Sequence, residues 1–242
     1  MATTPLPRIP SLDVLRGAAV LGILAMNIVV FAMPYQAAWN PRAYGGAEGA
    51  DLISWAASFI LIDGKMRGLF SFLFGASMLL IIERALAKDE DPIPIHYRRM
   101  GWLLLFGLAH CYFIWFGDIL FLYAVIGMIA YAFVRKPPRS LLIWAAALFL
   151  LNAAMMAASS SYFRSADAEA HAVDATADEI TEWNQAIAWG GQSEEKTARD
   201  IAIHRGSATD RAGHMLTERT FEPFGSLIYF GPETLALMLL GM

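Results

Sequence analysis

The chain is poor in charge and in cysteine. Only 17% of its 242 residues are Asp, Glu, Lys or Arg, and the net charge is -4. With no basic patch interleaved with aromatics, a nucleic-acid partner is excluded. The single cysteine, Cys111, rules out an internal disulfide framework. Set within an apolar run, it reads as a small core residue rather than a redox group. The sequence also lacks a phosphate-binding Gly-rich loop with its lysine, an HExxH pair, a GxSxG elbow and paired cysteines for a metal. His171, His204 and His214 are irregularly spaced and read as solvated surface residues. No metal site and no permanently bound cofactor is expected.

What fills the chain instead is apolar. Hydrophobic residues make up 57% of it and the mean hydropathy is +0.46, too oily for a water-soluble domain of this length. A transmembrane helix needs about 20 mostly apolar residues, and several windows meet that length. The first of these could be taken for a signal peptide, but the segment before it is long and carries Asp13, so a retained first helix is the simpler reading.

The hydropathy pattern predicts a helix over residues 12–33, stopped by Pro34. A Pro- and Gly-rich loop follows, ending at Asp51 as a helix N-cap. Two apolar pieces, 51–62 and 68–82, flank the polar joint DGKMR; the first is too short to span and reads as interfacial or re-entrant, while residues 66–82 cross. After a charged loop, helices over 100–116 and 118–134 meet in a tight turn at Gly117, and RKPPR separates them from a helix over 140–157. The composition then turns polar and acidic. Within residues 158–223, Ile180, Trp183 and Ile187 lie on one face of an amphipathic helix. The last apolar run, 224–242, ends without polar flanking residues, so the chain is expected to be part of a longer protein.

The fold class is therefore all-α, a polytopic transmembrane bundle of about five to six spans with one short interfacial or re-entrant helix. It divides into a transmembrane core (1–157), a polar extracytoplasmic segment (158–223) and the start of a further span (224–242). Arg8, Arg16, Arg84, Lys88, Arg98, Arg99, Arg135, Lys136 and Arg139 alternate in the loops with the sparser Arg42, Lys65 and Arg67. The positive-inside rule then makes the N-terminus cytoplasmic. A multi-pass protein of a bacterial inner membrane is implied.

Polar residues in such a bundle are informative, because an ionisable side chain at a helix centre costs about 2.5–3.5 kcal/mol on insertion scales. His110, eleven residues past Arg99, sits about 16 Å along its helix, near mid-membrane. With Asp118, Asn27, Lys65, Arg67 and Trp115 it composes a candidate outward-facing pocket. Each has a plainer reading: His110 bonded to a neighbouring helix, Asp118 capping the next helix, Lys65 and Arg67 reaching the head groups, Trp115 and Trp39 in an interface belt. Asp13, Arg16, Glu83, Arg98 and Arg99 gather at the cytoplasmic face, where Asp13 and Arg16 can pair across three positions.

Three stretches carry a family resemblance: RIPSLDVLRGAAVLGILAMNIVVFA, DGKMRGLFSFLFGASMLLIIER and RRMGWLLLFGLAHCYFIWFGDILFLYAVIG. In order and spacing they resemble the YeiB-like bacterial inner-membrane proteins with the domain of unknown function numbered 418, over roughly the first 135 residues. Members of that family have a further C-terminal block of helices. The LRG-containing first helix is also similar to that of transmembrane acyltransferases, including the lysosomal heparan glucosaminide acetyltransferase. That resemblance implies transfer of an acyl group from cytoplasmic acyl-CoA to an envelope polysaccharide or lipid acceptor across the bilayer. The lysosomal enzyme's histidine follows its first helix, where this chain has Gln36, Ala37 and Ala38, so the role of acyl carrier or general base passes to His110. Asp118 would fix the imidazole tautomer, and Arg16, Arg98 and Arg99 would hold CoA phosphates. The alternative is a transporter or lipid-binding scaffold for a small solute, with the same groups lining its path.

Overall fold

A computed structural model describes residues 10–190 and 194–242. All regular elements among them are helical: α1 (Pro10–Ala32), α2 (Gln36–Trp39), α3 (Gly49–Leu61), α4 (Lys65–Leu86), α5 (Pro92–Phe113), α6 (Leu120–Ala130, continued by a 3-10 turn at Tyr131–Phe133), α7 (Pro138–Ala170), α8 (Ala177–Gly190), α9 (Glu194–Arg205), α10 (Ala208–Thr217) and α11 (Glu222–Gly241). Among the described residues, four stretches are long and apolar enough to cross a membrane: Pro10–Ala32, Gly49–Leu86, Pro138–Ala170 and Glu222–Gly241. Arg98 and Arg99 interrupt the apolar run of α5, and α6 is shorter still.

The shortest apolar helix is the most buried. In α6, Phe121, Leu122, Tyr123, Ala124, Ile126, Gly127 and Ala130 are all enclosed. Of these, Leu122, Tyr123, Ile126 and Ala130 pack with Met78 and Ile82 of α4, Leu141 and Ala145 of α7, and Leu235, Met238 and Leu239 of α11 into one core. Outer helices show the reverse: Leu21 on α1 and Leu150 on α7 are 68% and 72% exposed. Apolar faces of that extent suit lipid, not water.

Small residues set the helix spacing. A side chain at Gly75 of α4 would strike the Met238 carbonyl of α11, and one at Gly107 of α5 would strike the α6 backbone at Phe121. Close backbone approach is the usual way apolar helices gain packing where no hydrophobic force separates protein from solvent. The contacts also fix direction. Arg16 reaches Ser77 while Gly22 meets Met66, so α1 and α4 are antiparallel. Gly107 meets Phe121 and Met100 meets Gly127, so α5 and α6 form an antiparallel hairpin.

Several boundaries differ from the sequence reading. Helix α5 starts at Pro92, not near residue 100, because the Asp91 carboxylate accepts the Ile93 N–H at 3.0 Å and proline suits the first turn. Arg98 and Arg99 are thus inside a helix rather than in a loop. Asp51 is not a cap: α3 begins at Gly49, leaving Asp51 in the first turn, favourable to the helix dipole. Asp118 precedes α6 instead of opening it. Helix α7 runs on to Ala170, past the polarity change near residue 157, because the Ala-rich sequence there carries no stop signal. Between α3 and α4 the chain breaks at Gly64, whose φ of +69° lies in the left-handed region that glycine tolerates. Of the amphipathic stripe on α8, the Ile187 side chain lies outside the described residues, as does Arg8.

Candidate functional site

The α5–α6 hairpin brings its two ionisable groups together. His110 occupies the last turn of α5, so it lies near that helix's end and not at its middle; the helix begins eight residues earlier than its hydropathy suggests. Its Nδ1 is 2.9 Å from Oδ1 of Asp118. The other carboxylate oxygen accepts the Phe121 N–H at 2.8 Å. Asp118 therefore caps the start of α6 and orients His110 with one side chain. That side chain is fully enclosed, whereas His110 remains 30% exposed. With Asp118 ionised, Nδ1–H donates to it, which leaves Nε2 as the basic atom. No hydrogen bond occupies Nε2 among the described residues.

Aromatic rings wall this pair. Trp115 meets His110 edge-on, with centroids 6.3 Å apart, and meets Phe31 of α1 at 4.8 Å. Phe116 contacts Trp115, Tyr35 and His204, and the Arg219 guanidinium lies 5.1 Å from its ring centre. His204 is thus exposed but engaged, and His214 is only 16% exposed beside Glu218, which corrects the reading of both as free surface groups. Gln36 donates to Asp200 at 3.0 Å, and the Tyr112 hydroxyl donates to the Thr220 carbonyl at 2.5 Å. Through these contacts the polar segment folds back over the end of the bundle that carries His110. Cys111 is buried and free, as a core residue should be.

The other candidates are not gathered here. Asn27 is half-buried on α1 and forms no hydrogen bond with His110 or Asp118. Lys65 donates to the Phe59 carbonyl at 3.2 Å, tying α4 to the last turn of α3. Arg67 points into a separate polar layer. Its Nη2 donates to Oε2 of Glu233 at 2.7 Å, and its guanidinium lies 4.9 Å from the Phe230 ring centre. One turn on, Ser71 donates to the Arg67 carbonyl at 2.9 Å and lies 2.6 Å from the Tyr123 hydroxyl. The sequence reading missed Glu233, Ser71 and Tyr123. Glu233 had a signal, an acidic residue inside the apolar run GPETLALMLLGM; the other two are ordinary residue types until their helices are paired.

At the opposite end, Arg16 pairs with Asp13 at 3.2 Å and donates to Ser77 across α1 and α4. Arg98 and Arg99 are exposed on α5 with no ion pair among the described residues. Among the described residues Arg16 pairs with Asp13 and Ser77, not with them. No group of His, Cys, Asp and Glu among the described residues could hold a metal ion.

No family model matches the chain, and no solved structure matches it. Among curated proteins, it is 42% identical over 152 residues to the uncharacterized protein YxaH of Bacillus subtilis, covering 60% of this chain and 37% of that one. It is 35% identical over 128 residues to the uncharacterized protein YeiB of Escherichia coli, covering 53% and 31% respectively. The matches thus span about a third of the length of these relatives. The chain is thus similar, over about half its length, to the uncharacterized bacterial proteins YxaH and YeiB, and its long apolar helices suggest a lipid bilayer environment.

Proposed function

We propose that the protein is a membrane-embedded acyltransferase in which His110, oriented by Asp118, serves as general base. The observation that carries this reading is the 2.9 Å contact between Nδ1 and Oδ1, which leaves Nε2 without a hydrogen bond among the described residues, on a side chain that stays 30% exposed beside aromatic rings. A carboxylate-held imidazole is the usual device for taking a proton from a weak nucleophile near neutral pH.

In the proposed reaction, Nε2 takes the proton of an acceptor hydroxyl as its oxygen bonds to the carbonyl carbon of an acyl thioester. The carbonyl electrons move onto oxygen. They return as the C–S bond breaks, and the thiolate leaves with the proton from Nε2. Acyl-CoA is the donor and an envelope polysaccharide or lipid the acceptor. Phosphates held by Arg98 and Arg99 would leave about 16 Å of helix between Arg99 and His110, so the pantetheine arm must thread along α5. Arg16, on α1, would approach the same phosphates only from a neighbouring helix.

The topology of the reading has six passes: α1, α4, α5, α6, α7 and α11, with α3 at the interface. The antiparallel contacts support it, since they put Arg84, Lys88, Arg98, Arg99, Arg135, Lys136 and Arg139 at one end, which the positive-inside rule makes cytoplasmic, in a bacterial inner membrane. His110 and the polar segment then face the other compartment.

The test is transfer of label from radiolabelled acetyl-CoA to an envelope extract by the protein in lipid nanodiscs. His110-dependent transfer is the expected result. A folded native protein that transfers nothing from several acyl donors overturns the reading. A transporter or lipid-binding scaffold for a small solute would then be favoured by the Arg67–Glu233 pair, since ion pairs inside apolar bundles commonly line solute paths.

A further inference from the structure

The indole N–H of Trp115 is buried and has no hydrogen-bond acceptor among the described residues. Buried tryptophans nearly always find a partner for this group, because an unpaired donor forfeits its full hydration. An orphan of this kind calls for an explanation, and its position supplies one.

Trp115 is held rigidly beside the candidate base. Its backbone N–H donates to the His110 carbonyl at 2.8 Å, which ties the two residues into one turn. Its ring meets His110 at an interplanar angle of 82°, and is packed on other sides by Phe31 and Phe116. The six-membered part of the indole lies against Gly117, where any side chain would collide with it. Glycine at 117 is therefore what allows the ring to lie flat over the turn. Nothing in this arrangement needs the nitrogen: a phenyl ring would fill an apolar wall without leaving a donor unpaired.

We infer that Trp115 is a catalytic residue whose indole N–H holds the carbonyl oxygen of the acyl thioester while His110 removes the acceptor's proton. This rests on the acyl-transfer reading and adds to it the group that receives the developing negative charge. When the acceptor oxygen bonds to the carbonyl carbon, the carbonyl oxygen becomes an oxyanion and its hydrogen bond strengthens; when the C–S bond breaks, the charge leaves with the thiolate. A donor already fixed by packing needs no reorganisation at that moment, and such donors act mainly on the rate of the chemical step.

The experiment compares native protein, Trp115→Phe and His110→Ala in nanodiscs, with radiolabelled acetyl-CoA as donor and envelope extract as acceptor. Trp115→Phe should lower kcat about 100- to 1000-fold with little change in KM, the loss typical of one oxyanion donor. Replacing Trp115 by a sulfur-for-NH indole analogue removes the donor and keeps the ring shape, so it should lose activity equally and controls for misfolding. Native kcat in the analogue protein overturns the inference and leaves the acyl-transfer reading standing. Native protein without any transfer overturns both.

Discussion

His110 and Asp118 are eight residues apart in sequence and on different sides of a helical hairpin, yet their side chains meet at 2.9 Å. The hairpin makes the pair, because Asp118 is anchored by the Phe121 N–H before it reaches His110. Replacing Asp118 with Asn keeps most of that shape but can present an amide donor to Nδ1, which favours the wrong tautomer. Acyl transfer should fall about 100- to 10,000-fold in Asp118→Asn, the range expected for lost acid–base catalysis, with folding unchanged by circular dichroism.

The Arg67–Glu233 ion pair joins α4 to α11 with both side chains mostly enclosed. Glu233→Leu leaves a guanidinium with no counter-ion and should destabilise by about 3 kcal/mol, whereas the double change Arg67→Met, Glu233→Leu should recover most of the loss. Thermal unfolding in detergent reads both. Equal losses for the single and double variants would rule out a mutual pair.

Gly75 sits where α4 passes under the Met238 carbonyl of α11. Gly75→Val should force the helices apart and cost about 1–3 kcal/mol, as overpacking does. The same change at Gly101, which has open space around it, should be nearly silent apart from the helix-propensity difference. Melting temperatures of the two variants compare them directly.

Phe116 holds the polar segment through His204 and Arg219. Phe116→Ala should therefore make the α9–α10 region more open to protease while leaving the membrane helices protected. Limited proteolysis in nanodiscs checks this, and unchanged cleavage would mean the segment is held by its other contacts alone.

Helix α10 opens with a capping box between Ser207 and Asp210. The Ser207 hydroxyl and backbone N–H hold the Asp210 carboxyl below its usual range. A depressed carboxylate favours the folded form above its unfolded value of about 3.9, and that contribution disappears as pH falls through the lower folded value. Amide exchange in the first turn of α10 should accelerate below about pH 4 in the native protein, and much less so in Asp210→Asn.

Hydropathy was enough to mark where the apolar helices lie, because burial in lipid needs only length and composition. It misjudged their ends wherever a local hydrogen bond outranked it, as at Asp91, or where alanine carried a helix through a change of polarity, as in α7. His110 and Asp118 were legible because charge in an apolar run is conspicuous. Arg67 was legible for the same reason, but its partner was not sought 166 positions away. The engagement of His204 with Phe116 left no trace in the sequence, since a histidine in a polar segment looks the same whether solvated or docked.

Helix α6 and its 3-10 extension together rise only about 22 Å, against about 30 Å for a hydrocarbon core. Because α6 is wrapped by protein, the bilayer need not thin to match it.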